Sequence, residues 1–108
     1  MTEYVQVSTA ADRRDMAISL LNSAVKAKLA ASGQVSGPVA TAFWHLGEFG
    51  TGEEWQVTLK TTKDRYPDLE AHLIAAHPWD NPEVSFTPLG GSETYLEWVT
   101  RATSSERL

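Results

Sequence analysis

The chain has 108 residues, with 9 Lys and Arg against 14 Asp and Glu, a formal net charge of −5 and no cysteine. This length is typical of one compact unit, so we expect residues 1–108 to form a single domain. The acidic balance argues against a nucleic-acid partner or an anionic membrane surface. The lack of cysteine excludes disulfide scaffolds, cysteine-ligated zinc and cysteine nucleophiles.

The sequence predicts a cytoplasmic protein with no membrane partner. The uncharged stretch 35–46 is interrupted by Gly37 and Pro38, and it is far shorter than the ~20 apolar residues that a membrane helix requires. The first residues lack a basic start followed by an apolar run, so no secretory signal is expected. The absence of cysteine fits a reducing compartment.

The first predicted elements are a strand and a long helix. Residues 4–9 alternate, with Val5 and Val7 on one face, which is typical of a half-buried strand. Asp12 and Asp15 resemble a capping box, and Gly33 supplies a stop, so we predict a helix over 13–31. Its apolar residues recur at helical spacing: Ile18, Leu21, Val25 and Leu29.

Two segments rich in β-formers, 39–45 and 54–61, follow this helix. The glycines between them are Gly47, Gly50 and Gly52, and we interpret them as residues of the turn that connects the two strands of a hairpin. The segments should therefore form a long antiparallel hairpin. In its second arm, one set of side chains faces the helices: Trp55, Val57, Leu59 and Thr61.

The last third of the chain predicts a helix, a short strand and another helix. Asp64 can cap the first of these helices and His77-Pro78 ends it, since a residue before proline leaves helical geometry. Its predicted buried residues are Leu69, Leu73 and Ala76. Residues 83–87 form the strand, Ser92 caps the final helix, and residues 103–108 are expected to fray. The final helix carries an apolar stripe made of Tyr95, Trp98, Val99 and Ala102.

This order predicts an α+β fold, a ferredoxin-like βαββαβ sandwich with an additional C-terminal helix. Right-handed crossovers place the first two helices on one face of a four-stranded antiparallel sheet. The other face is left open in one chain and carries Gln6, Ser8, Gln56, Thr58, Lys60, Ser85 and Thr87, with Tyr4 and Trp44 among them if the hairpin register allows. Such a largely uncharged face favours burial against other subunits, although a merely threonine-rich exposed sheet is the alternative.

The chain lacks motifs for nucleophilic catalysis or phosphate binding, so we predict no catalytic residues. No Gly-x-Ser-x-Gly elbow is present, and no glycine-rich loop joins a strand to a helix. His72 and His77 lie about 140° apart around a helix and do not converge on one metal. An imidazole and a carboxylate suit a borderline divalent ion, so His77 and Glu83 are the metal candidates, but two ligands make a weak site. His72 is expected to be exposed.

Four segments in register resemble the CutA family of divalent-cation tolerance proteins. They are Lys28-Leu29-Ala30-Ala31, then Glu54 with Leu59-Lys60-Thr61-Thr62, then His77-Pro78-Trp79-Asp80-Asn81-Pro82-Glu83, and Tyr95-Leu96-Glu97-Trp98. The resemblance covers residues 4–102.

The resemblance implies a homotrimer with the three sheets facing inward and with clefts between neighbouring subunits. The clefts would be lined by His77, Trp79, Glu83, Tyr95 and Trp98, with Lys60 nearby. Family members are linked to tolerance of copper and other divalent ions and are similar in architecture to PII signalling proteins. No catalytic activity is established for the family.

The sequence departs from the family at positions proposed to bind copper. Many relatives have cysteine where this chain has Ser8 and Ser32, and some have histidine where it has Ala76. Trp79 replaces the tyrosine of the motif, and His45 replaces a hairpin tryptophan. Copper or zinc is therefore expected to bind only weakly.

The resulting hypothesis is a non-enzymatic trimer whose clefts bind an ion, a small ligand or a signalling partner. A small ferredoxin-like enzyme, of the cofactor-free monooxygenase or isomerase type, is one alternative, but its usual deep apolar pocket is disfavoured by the polar open face. A PII-like small-molecule sensor is the other, although the chain lacks basic or glycine-rich phosphate contacts.

Overall fold

The computed structural model describes residues 2–104 and has the predicted element order. The strands are β1 (Tyr4–Ala11), β2 (Ser32–His45), β3 (Glu48–Thr62) and β4 (Ser85–Pro88), and the helices are α1 (Arg14–Lys26), α2 (Tyr66–Ala76) and α3 (Glu93–Ala102). The antiparallel sheet has the strand order β2-β3-β1-β4. The predicted ferredoxin-like α+β fold is confirmed.

The core lies between one face of this sheet and helices α1 and α2. Val5 and Val7 of β1 stand opposite Thr61 and Leu59 of β3, so the alternation predicted from the sequence is confirmed. The fully buried members of the core share apolar chemistry and come from both layers: Val5, Val7, Ala11, Ala17, Leu20, Ala24, Ala30, Val57, Leu59, Leu69 and Leu73.

Helix α1 is shorter than predicted, and its buried face is offset by about one residue from the predicted apolar stripe. It ends at Lys26, because Lys28 takes a left-handed φ of 62° and the amide of Ala31 donates to the carbonyl of Lys60, which begins the pairing of β2 with β3. Gly33 is therefore a strand residue and not a helix stop. The fully buried face is made of Ala17, Leu20 and Ala24, whereas the predicted Leu21, Val25 and Leu29 are partly buried beside it.

Two predicted helix caps are wrong, and one is confirmed. The N-cap of α1 is Arg13 and that of α2 is Arg65, in both cases without a side-chain cap bond, so neither Asp12 nor Asp64 caps a helix. In α3 the hydroxyl of Ser92 accepts a hydrogen bond from the amide of Tyr95, as predicted.

The end of helix α2 and the last residues of the chain agree with the prediction only in part. Helix α2 ends before His77, whose ψ of 139° is extended, which confirms the predicted stop. Ala76 is exposed and not part of the buried stripe. Thr103 is buried and its hydroxyl donates to the carbonyl of Val99, so this residue does not fray. The amide of Ser104 donates to the carbonyl of Arg101, so this residue is also held, and the remaining predicted positions, 105–108, lie outside the described residues.

The hairpin of β2 and β3 is longer than predicted and turns in two residues. Leu46 and Gly47 both have positive φ, 51° and 80°, which matches the strand twist of a tight hairpin. Gly50 and Gly52 consequently lie within β3. We call the distal part of this hairpin, residues 39–54, the arm.

A β-bulge at the base of the arm changes which side chains share a face. The register steps from Ser36 opposite Gln56 to Val39 opposite Glu54, so β2 has one extra residue there. Beyond the bulge, the β2 residues that pointed to one face of the sheet now point to the other. Trp44 therefore stands opposite Phe49, on the same face of the sheet as the helices. The hairpin register therefore does not allow Trp44 to join the open face.

The open face otherwise has the predicted composition. Gln6 stands between Lys60 and Thr87, and Ser8 between Thr58 and Ser85. One end of the face is covered within the chain, because the phenol of Tyr4 lies 2.6 Å from the hydroxyl of Thr100 in α3. Helix α3 thus closes the Tyr4 end and leaves the rest of the face open.

Candidate functional site

His77 is a buried residue held between two backbone groups. It follows α2, and its side chain is only 7% exposed. Its Nε2 lies 2.6 Å from the carbonyl oxygen of Ala10, and its Nδ1 lies 3.2 Å from the amide nitrogen of Trp79. Both ring nitrogens therefore have hydrogen-bond partners within the chain.

Glu83 is an exposed residue just before β4. Its Oε2 accepts a hydrogen bond from the hydroxyl of Ser85 at 2.7 Å. Within residues 2–104 no group of three or more His, Asp or Glu side chains is placed to hold a metal ion. His77 and Glu83 as arranged here do not fit a tightly bound divalent ion, because the imidazole has no free nitrogen and a third ligand is lacking.

Tyr95 and Trp98 form an aromatic pair on α3. Their ring centroids lie 5.8 Å apart, and Trp98 is partly exposed. Val99 on the same helix is fully buried and anchors it. Lys60 lies on the open face opposite Gln6 and Ser32, half-buried.

The candidate residues divide between the two ends of β1. His77 and Trp79 are tied to Ala10 near the end of β1, whereas α3 is tied to Tyr4 at its start. Six residues of extended strand span about 20 Å. The anchors of Trp79 and of α3 are therefore far apart within one chain, and the cleft that the resemblance implies for Trp79, Tyr95 and Trp98 lies between neighbouring subunits.

Two polar side-chain contacts, one between α1 and α2 and one within α2, were missed by sequence reasoning. His72, expected to be exposed, is half-buried, and its Nε2 lies 2.9 Å from the hydroxyl of Ser23 in α1. The hydroxyl of Tyr66 donates to Glu70 at 2.8 Å. Burial, and then the hydrogen bond and charge of Glu70, raise the pKa of Tyr66 to about 12. The i,i+4 spacing of Tyr66 and Glu70 was the available signal.

The arm exposes large apolar side chains that sequence reasoning did not identify as a group. Trp44 is 76% exposed and Leu46 is 89% exposed, and Phe43 and Phe49 are also exposed. Trp44 and Phe49 pack edge to face, with ring centroids 5.9 Å apart. Trp44 and Phe49 thus form an exposed apolar pair on one face of the arm, and exposed apolar surface of this kind is typical of a protein interface.

Comparison with known proteins gives a consistent match. The family model described as "CutA1 divalent ion tolerance protein" matches residues 5–102. A chloroplastic CutA protein of Arabidopsis thaliana is 33% identical over 91 residues, which cover 83% of this chain and 50% of that protein. A divalent-cation tolerance protein CutA of Pectobacterium atrosepticum is 30% identical and covers 74% of each chain.

Solved structures agree with this match. A crystal structure of CutA1 from Shewanella sp. SIB1 superposes with a TM-score of 0.90 at 29% identity, covering 95% of this chain and 97% of that chain. The present chain spans about half the length of the plant relatives that it matches. Among residues 2–104, no helix is long and apolar enough to cross a membrane.

Proposed function

This chain belongs to the CutA1 divalent ion tolerance family, and on that premise we propose that it acts in the response to divalent metal ions, copper among them, as a non-enzymatic homotrimer. The observation that carries the proposal is the family match over nearly the whole described chain. The proposed compartment is the cytoplasm. The absence of cysteine is consistent with that compartment, although the Arabidopsis relative is named as chloroplastic.

The composition of the open face supports the proposed trimer. Its central positions carry Gln6, Ser8 and Thr58, and Lys60 is the charged residue beside them. Uncharged polar side chains can be desolvated against another subunit at much lower cost than charged ones. The exposed apolar side chains of the arm supply a second surface that assembly would cover.

The division of the candidate residues supports clefts between subunits. Trp79 and Glu83 lie toward one end of the sheet, and Lys60, Tyr95 and Trp98 lie toward the other. A head-to-tail arrangement of copies around a threefold axis places unlike ends beside each other. We propose that such a cleft binds a small molecule or an ion, with Lys60, Trp79, Tyr95 and Trp98 as contacts.

The mass of the assembly tests the trimer. Sedimentation equilibrium at micromolar concentration is expected to give three times the chain mass of 11.9 kDa. A monomer or a dimer would contradict the proposal.

A thermal-shift screen of the same sample tests the cleft. Its panel is copper(II), zinc, nucleotides and small metabolites, and a ligand at 100 times its Kd should stabilise the protein by about 2.7 kcal/mol. Trp98→Ala should remove a shift that arises in the cleft, whereas Ser19→Ala on an exposed position of α1 should not. A shift retained in Trp98→Ala would place the ligand elsewhere.

A further inference from the structure

We propose that His77 is a positioning residue that holds the Trp79 backbone against the end of β1, and that it is not a ligand for a divalent ion in the folded chain. The inference deepens the proposed function and rests on it only in giving Trp79 a place in the cleft. It uses contacts made within one chain.

The hydrogen-bond partners of His77 define its tautomer. The carbonyl of Ala10 can only accept, so Nε2 must carry the proton and donate across the 2.6 Å contact. The amide of Trp79 can only donate, so Nδ1 must be unprotonated and accept across the 3.2 Å contact. The ring is therefore neutral, with Nε2 protonated.

This tautomer leaves no lone pair for a metal. A metal ion binds an unprotonated imidazole nitrogen, and the only such nitrogen, Nδ1, already accepts from Trp79. Coordination would require that bond to break in a residue that is buried. Glu83 does not compensate, because one carboxylate is a single ligand and no group of three or more His, Asp or Glu side chains is placed to hold a metal within residues 2–104.

The contacts of His77 also orient Trp79. Its amide is held by Nδ1, and its indole lies against the imidazole with ring centroids 4.7 Å apart and planes inclined at 49°. The indole is nonetheless 40% exposed. His77 thus fixes the backbone of a partly exposed aromatic residue that is available to a cleft.

Fluorine NMR of protein labelled with 5-fluorotryptophan tests the positioning role. The chain has four tryptophans, and Trp79→Phe assigns the resonance of Trp79. His77→Ala should shift and broaden that resonance and leave the Trp44 resonance unchanged. His77→Asn places an amide oxygen near the position of Nδ1, so it should restore the Trp79 resonance toward its wild-type position. An unchanged Trp79 resonance in His77→Ala would overturn the positioning role, and so would Asn and Ala variants that behave alike.

Nitrogen NMR of the wild-type protein tests the metal statement without any variant. Near neutral pH, ¹⁵N-labelled His77 should show the tautomer with Nε2 protonated, and added zinc alone should leave both of its nitrogen shifts in place. Free histidine in a parallel sample is the control, and its imidazole nitrogen shifts should respond to the same zinc concentration. A zinc-induced shift at Nδ1 or Nε2 of His77, or the opposite tautomer, would overturn the proposal.

The outcomes separate this inference from the proposed function. The tautomer is set by contacts within one chain, so it should be seen whether sedimentation gives a trimer or a monomer. A monomer with the predicted tautomer contradicts the trimer alone. A trimer in which zinc coordinates His77 contradicts this inference alone.

Discussion

Ser8 of β1 and Thr58 of β3 stand directly opposite each other near the centre of the open face. Thr58 is also opposite Gln34 of β2, and both Ser8 and Thr58 are half-buried in the single chain. This position lies away from the end of the face that α3 covers. It is where a charge would most directly test the proposed assembly.

We expect Thr58→Glu to dissociate the trimer. In a threefold assembly with the sheets facing inward, the substitution brings three carboxylates near one axis in a poorly solvated environment, where like charges repel and desolvation is costly. The measurements are sedimentation equilibrium and thermal melting. Ser19→Glu, on an exposed position of α1, adds the same charge and should leave the trimer intact. An unchanged trimer with an unchanged Tm in Thr58→Glu would show that the face is solvated.

A methyl group at Gly33 should destabilise the chain. A Cβ there would meet the carbonyl oxygen of Thr58 and come within 2.7 Å of Leu21 and Leu59. Overpacking of this kind costs roughly 1–3 kcal/mol. Urea denaturation of Gly33→Ala should show that loss. Gly90→Ala, outside the arm, is the matched control, because a Cβ at Gly90 meets nothing within 4 Å, and its stability should change by less than about 0.5 kcal/mol.

Stability should fall at high pH because of Tyr66. Its pKa is raised to about 12 in the folded chain, while the ordinary value is 10.0. Below pH 10 both states keep the proton, so its contribution is constant. Between pH 10 and 12 the unfolded state loses the proton first, and the free energy of unfolding decreases as pH rises. Tyr66→Phe lacks this group, so its stability should decline less steeply than that of the wild type over that range. Equal slopes for the two proteins would contradict the shift.

Copper(I) should not bind detectably, and divalent copper or zinc should bind weakly. Copper(I) prefers thiolate and thioether ligands, and this chain has no thiol and only Met1 and Met16 as thioethers. Calorimetric titration should show similar weak affinity in the wild type and in Glu83→Ala. Submicromolar affinity with one site per chain, lost in Glu83→Ala, would instead establish a metal site at this position.

Local patterns in the sequence predicted the element order and much of the core. Val5 and Val7 alternate with polar residues, Ser92 caps the last helix, and the proline after His77 stops α2. Each of these signals acts between residues close in the chain. The handedness of crossovers then places both helices on one face without further information.

The candidate site was predicted as a set of residues but not as an arrangement. Sequence motifs identified His77, Trp79 and Trp98, yet they made His77 a candidate metal ligand. Only the fold shows that its imidazole reaches the carbonyl of Ala10, which lies 67 positions away in the chain. A histidine that ligates and a histidine that is fully hydrogen-bonded have the same sequence signature, because their difference lies in which partners meet the ring.

Local sequence patterns specify the layers of this protein, whereas contacts between distant segments specify where elements end and which side chains meet. Helix α1 ends at Lys26 because Ala31 pairs with Lys60 of β3, and Trp44 changes face because one extra residue enters β2 at the bulge. The separation of Trp79 from Trp98 likewise depends on the length of β1 between their anchors. Helical and strand periodicities are local properties, whereas strand pairing, bulges and buried hydrogen bonds depend on contacts between distant parts of the chain.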